Sequence, residues 1–202
     1  MPRLIALGAS FSLILGLLGA REASGQRAAP AAEWKPDAKA VKQLGPAVNL
    51  GSYTLRIPKG YELQETPQAP AGSKFWAWAG PARADGTKAQ LLMNLLPIAP
   101  AQREQAKRLT LEQLAEKRIA AIRGQRTDWK QEKTEKGVIN GVTFVRIRWE
   151  GTEPRNQWDM RGFVYVARDG DTILYLSSQD LKAPGAQALP LADAAVLSFK
   201  KN

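Results

Sequence analysis

Histidine and cysteine are both absent from the 202 residues. Their absence removes Ser-His-Asp and Cys-His catalysis, every zinc site built on imidazole or thiolate, and any disulfide. General acid–base chemistry near neutrality then falls to a shifted carboxylate or lysine. Acidic residues are few: 19 Asp and Glu against 29 Lys and Arg give a formal net charge of +10. A basic exported protein is drawn toward anionic partners such as lipid headgroups, acidic polymers or nucleic acid. The cations are spread along the chain instead of gathered in one run, a pattern that equally serves solubility. Glycine-rich phosphate loops and nucleotide signatures are missing, so no cofactor, no metal and no specific nucleic-acid site are expected.

What is present begins with an export signal. Arg3 precedes an apolar run from Leu4 to Ala20, and the small residues Ala23-Ser24-Gly25 place a cleavage site before Gln26. The alternative is an uncleaved anchor, but the run sits at the short limit of the roughly 17–25 residues that span a bilayer. It is also diluted by Gly8, Ser10, Ser12 and Gly16. Residues 26–47 are rich in Ala, Pro and Lys and read as a flexible lead-in, with Trp34 as the one large apolar residue that can dock on the domain. Residues 48–202 read as a single α+β domain, stabilised by core burial alone, with no later membrane span.

Tyr53–Ile57 alternates and stops at Pro58, which predicts a strand with Tyr53, Leu55 and Ile57 inward. Phe75–Ala79 and Gln90–Leu96 follow as strands; the second is apolar on both faces, as a strand covered from both sides must be. Thr110 and Gln113 form a capping-box pair, and Leu111, Leu114, Ala115, Ile119 and Ile122 make one helical stripe ending at Gly124. Asn140-Gly141 predicts a tight hairpin between a polar edge strand, Lys130–Ile139, and Val142–Glu150. A loop over Gly151–Asp159 leads to Met160–Ala167, Asp169-Gly170 turns the chain into Thr172–Ser178, and Leu191–Phe199 reads as a terminal helix with Pro190 in its first turn.

The hairpins allow the register to be inferred. Ile139 is set opposite Val142 and Glu135 opposite Arg146, while Ala167 is set opposite Thr172 and Tyr165 opposite Leu174. One face then gathers Val145, Ile147, Trp149, Phe163, Tyr165, Leu174 and Leu176. The other carries Val142, Phe144, Val164, Val166, Ile173 and Tyr175 at one end, with Arg146, Arg148, Gly162 and Ser177 at the other.

Two constellations are candidate ligand sites. Arg146 and Arg148 point the same way from one strand and suit a carboxylate or phosphate; alternatively, Arg146 pairs with Glu135 and Arg148 is solvated. Trp76 and Trp78 share a strand face and suit a sugar ring or a cation; alternatively, they pack in the core. Glu150, Glu153 and Asp159, beside Trp158, contain the ingredients of a carboxylate-dependent hydrolase. Asp169-Gly170-Asp171 reads as a turn, since a calcium loop needs further oxygen ligands.

The front segment Tyr53-Thr54-Leu55-Arg56-Ile57-Pro58-Lys59-Gly60-Tyr61, the Ile139-Asn140-Gly141-Val142 hairpin, Arg168-Asp169-Gly170-Asp171 and the closing Leu197-Ser198-Phe199 together resemble the Mog1/PsbP-like fold, including DcrB-like bacterial envelope proteins. The resemblance covers residues 48–200. It implies an antiparallel β-sheet with helices on both faces, an α/β/α sandwich. It also implies a binding or assembly role with no shared catalytic motif, so no functional residue is carried over from it.

The function expected is that of an exported, non-catalytic binding or assembly protein of the cell envelope, periplasmic or secreted, with an envelope protein or anionic polymer as partner. The alternatives are a carboxylate-dependent hydrolase acting on an envelope polymer, and a structural accessory held to an anionic matrix by its basic surface. The first test concerns export. Intact-mass analysis of the exported protein is expected to start at Gln26; a mass that retains Met1 or Arg3 contradicts cleavage.

Overall fold

The computed structural model describes residues 31–65 and 72–202. In chain order these form β1 (Ala32–Glu33), α1 (Ala38–Val41), β2 (Leu44–Asn49), β3 (Tyr53–Pro58), β4 (Glu62–Leu63), β5 (Lys74–Ala79) and β6 (Gln90–Pro97). A 3-10 turn leads to α2 (Arg103–Arg108) and α3 (Leu111–Arg123). There follow β7 (Thr127–Gln131), β8 (Glu135–Ile139), β9 (Val142–Glu153), β10 (Trp158–Asp169), β11 (Thr172–Leu181), α4 (Gly185–Leu197) and β12 (Lys200–Lys201). The expected signal segment, residues 1–25, lies outside the described residues.

Nine strands make the main sheet in the order β1-β8-β9-β10-β11-β6-β5-β4, with β7 also paired to β9. All its pairs are antiparallel except β1 with β8. Helix α3 covers one face and α4 the other, giving the α+β sandwich that the sequence predicts. A small second sheet, β12-β3-β2, contacts α4 through β2 and β3. Tyr53, Leu55 and Ile57 are buried as expected, but in this small sheet and not the main one.

The capping box forms in full: Thr110 Oγ1 accepts from Gln113 N and Gln113 Oε1 accepts from Thr110 N. Leu114, Ala115 and Ile119 then bury against Val145, Ile147 and Trp149. Leu91, Leu92, Met93 and Leu95 are all buried, so β6 is covered on both sides. Asn140 and Gly141 take positive φ values of 47° and 81°, and Ile139 faces Val142 and Glu135 faces Arg146, as the hairpin requires.

Other expectations need correction. The single polar strand over Lys130–Ile139 is two strands, β7 and β8, both bonded to β9. The nine-residue loop after Glu150 is itself a hairpin: Glu153 accepts from Arg155 N and Asn156 N, Gln157 takes φ 54°, and β9 and β10 run on to meet. That extra length fixes Arg146 opposite Tyr165 and Arg148 opposite Phe163, so Phe163, Tyr165, Leu174 and Leu176 share a face with the arginines and α4. Gly162 and Ser177 lie on the other face; a Cβ at Gly162 would strike the Trp149 ring and Ser178 O. The second turn centres on Gly170-Asp171 and pairs Asp169 with Thr172, two residues from the expected register but with the same facing. Helix α4 starts at Gly185, so Pro190 lies inside it. Burial of Ala192, Ala195 and Val196 outweighs the lost N–H.

Residues 31–47, read as a flexible lead-in, are part of the fold. Strand β1 pairs with β8, Asp37 caps α1, and β2 joins the small sheet. Trp34 docks edge-on against Tyr165 at 5.6 Å, on a surface that only Gly137 leaves flat enough.

All four tyrosines sit where the phenolate is disfavoured. Burial, with a hydrogen bond to Asp169, pushes Tyr53 up to about 12. Burial and the nearby Asp180 carboxylate push Tyr61 up to about 12. Burial likewise raises Tyr165 and Tyr175. Because these folded values exceed the unfolded value of about 10, the stability they contribute is complete below pH 10 and is lost as pH rises further. Absorbance titration at 295 nm is expected to show no step near pH 10, and tyrosinate should appear above about pH 11 together with loss of the folded circular dichroism. A step near pH 10 in a chain that stays folded contradicts this.

Candidate functional site

Strand β9 presents Arg146, Arg148 and Glu150 on the face that α4 covers. Arg146 is only 9% exposed. Its Nη2 lies 2.6 Å from Glu135 Oε2 and its Nε donates to the same oxygen at 2.7 Å. Its Nη1 donates to the Tyr165 hydroxyl at 2.7 Å, and that hydroxyl donates to Asp193 Oδ1 at 2.6 Å. Trp34 closes the top with its ring centroid 4.6 Å from the guanidinium carbon. Burial works against the charge, but Tyr165, Glu135 and Asp193 together hold the group above its usual range. Arg146 is therefore a sealed structural cation with every neighbour engaged.

Arg148 differs. Its side chain is 36% exposed, with Nη1 at 3.1 Å from Glu135 and 3.8 Å from Glu132. It stands on the rim of an open cleft of about 400 Å³ between the sheet and the first half of α4. Glu132, Arg148 and Glu150 form one wall, Arg161 and Phe163 the floor, and Gly185, Leu189, Pro190 and Asp193 the other wall. Strand β10 supplies Arg161 on the same face as Phe163 and Tyr165. Nothing in the local pattern of the sequence singles out Arg161.

The two tryptophans stand apart from the arginines. Trp76 and Trp78 lie on β5, four strands from β9, or about 19 Å at the usual spacing. Trp76 packs half-buried against the α4-side core. Trp78 is buried and borders an apolar groove of about 350 Å³ with Tyr61, Val48 and Leu63. The structure brings together Arg146 and Arg148, and Trp76 and Trp78, but not the two pairs.

The three carboxylates of the hydrolase alternative do not converge. Glu150 bonds Lys182 Nζ at 2.6 Å and Asp159 accepts from Thr152 at 2.9 Å. Glu153 points to the opposite face of β9, where it caps the turn, and its carboxyl is held below its usual range.

Neither a protein-family model nor a curated protein matches the sequence. Solved structures do match. A protein of unknown function, PA94 from Pseudomonas aeruginosa, has a TM-score of 0.51 at 13% identity, covering 79% of this chain and 98% of its own. Cyanobacterial PsbP (CyanoP) from Synechocystis sp. PCC 6803 has a TM-score of 0.51 at 12% identity, covering 90% and 98%. LpqN, involved in cell envelope biogenesis of Mycobacterium tuberculosis, has a TM-score of 0.51 at 11% identity, covering 83% and 97%. The chain has the Mog1/PsbP-like fold. At these identities the likeness is one of fold. Within that fold, the cleft lies between the first half of α4 and the β9–β10 hairpin.

The two arginines are expected to separate on mutation. Arg146→Ala removes a buried charge with three hydrogen-bonded or ion-paired partners and is expected to cost at least about 2 kcal/mol. Arg148→Ala breaks exposed pairs and is expected to cost under about 1 kcal/mol. Urea titration of both variants checks the order; equal small losses would contradict the sealed network.

Proposed function

We propose that this chain is an exported, non-catalytic accessory protein of the cell envelope, whose domain binds a partner through the cleft between α4 and the β9–β10 hairpin. The observation that carries the reading is the cleft itself: a concave opening lined by Arg148 and Arg161, on a sheet face that is otherwise core. Export rests on the segment before Gln26, with residues 1–25 as a removed signal. An envelope setting is supported by the shared fold with LpqN, which is itself involved in envelope biogenesis.

Binding is favoured over hydrolysis because the carboxylates Glu150, Glu153 and Asp159 are each held by partners of their own. Among the carboxyls with shifted affinities for protons, Asp85, Glu104, Glu153 and Asp169 are all held lower, as stable anions. A proton donor near neutrality needs the opposite. Binding through the cleft is also favoured over a diffuse matrix attachment, since the cleft offers directed guanidinium groups where general charge does not require them.

Affinity capture from an envelope fraction tests this reading. The wild-type chain is expected to retain a partner that Arg148→Ala with Arg161→Ala loses, the double variant remaining folded. Equal capture by both proteins contradicts the cleft as the binding face.

A further inference from the structure

One row of side chains runs across three strands at the cleft floor. Arg161 on β10 is flanked in register by Glu150 on β9 and Asp180 on β11. Both carboxylates are already taken. Asp180, 1% exposed, holds Arg83 through two bonds, Nη1 to Oδ1 at 2.7 Å and Nη2 to Oδ2 at 2.6 Å. Glu150 holds Lys182 Nζ at 2.6 Å. The row therefore contains two carboxylates and three cations, and Arg161 is the surplus one. Among the described residues Arg161 has no ion pair, and its Nε is buried without a hydrogen-bond partner. A partly buried guanidinium facing a cleft is stabilised by an oxyanion able to accept from its parallel donors.

The surroundings fit such a guest. Gly185 keeps the space above Arg161 open, because a Cβ there would lie 3.2 Å from Arg161 Nε. Phe163, Leu189 and Pro190 supply apolar surface beside the charge. Arg148 stands on the rim as a second donor, and its nearest carboxylates, Glu132 and Glu135, are both exposed. A cleft of about 400 Å³ falls within the usual range for small-ligand sites.

We infer that the cleft binds an oxyanion, a phosphate ester or a carboxylate, carried on a short apolar body, with Arg161 as its principal partner and Arg148 as the second. This rests on the reading of the cleft as the binding face. Arg161 is a binding residue that the two strand arginines of the sequence pattern do not reveal.

The test uses the mature full-length chain and hexyl phosphate, hexanoate and the neutral hexyl glucoside as probes, followed by amide and arginine Nε–H chemical shifts. The anionic probes are expected to bind at least about tenfold more tightly than the glucoside. Shifts should gather at Arg161, Gly185, Ala186 and Leu189. Arg161→Gln, which removes no ion pair, should erase that preference and keep the glucoside affinity. Phosphatidylglycerol vesicles distinguish the source: vesicle binding displaced by hexyl phosphate assigns a lipid headgroup, and anion binding without vesicle binding assigns a soluble ester or carboxylate. Equal affinity of wild type for anionic and neutral probes, or shifts gathered away from the cleft, overturns the inference without recourse to any variant. Lost envelope capture combined with no anion preference would keep the binding face and discard the oxyanion. A clear anion preference with unchanged capture would support the oxyanion and remove the partner reading.

Discussion

A guanidinium inside the layer between sheet and helix has to be satisfied on every side, and Arg146 imposes that demand on the rest of the molecule. Its partners come from four places in the chain: Glu135 on β8, Tyr165 on β10, Asp193 on the terminal helix and Trp34 on the N-terminal segment. Removing a charge from water costs several kcal/mol unless such partners compensate it. The network accordingly fixes where α4 lies on the sheet and ties the segment around Trp34 to it. It also divides the α4-side face in two. On one side of Arg146 lies aromatic core, with Phe144 stacked edge-on to Phe199. On the other, the helix stands clear of the sheet and the cleft opens.

That division explains why two arginines on one strand have different roles. Arg146 is closed in by an indole and a phenol, whereas Arg148, one pleat further, faces carboxylates that are themselves exposed. Arg161 continues the line on the neighbouring strand, past the point where compensating groups run out. The surplus arises because Asp180 is claimed by Arg83, which reaches it from the loop after β5. Charge balance along the row thus depends on residues far apart in sequence.

Local chemistry made much of the fold legible. The Thr110–Gln113 capping box, the Asn140-Gly141 turn and the two-sided apolar strand at Leu91–Leu96 each state a geometry that neighbouring residues enforce, and each forms. The facing of β10 against β9 was not legible, because Glu153 builds a tight turn out of side-chain bonds that a charged loop sequence does not announce. A slip of one residue there carried Phe163 and Tyr165 to the opposite face. The docking of Trp34 depended on the bare backbone of Gly137, and Pro190 inside α4 on burial supplied by the far half of the helix. At the site, Arg146 and its Glu135 partner followed from the hairpin alone. Arg161 did not, since its importance lies in what its neighbours already hold.

The central claim is that Arg146 is a shared structural node. A double-mutant cycle between Arg146→Ala and Tyr165→Phe, read by chemical denaturation, tests it most directly. The account predicts a coupling of about 1–2 kcal/mol, because each group satisfies the other in a buried site. Losses that add to within about 0.3 kcal/mol would show that the two groups act independently and would contradict the account.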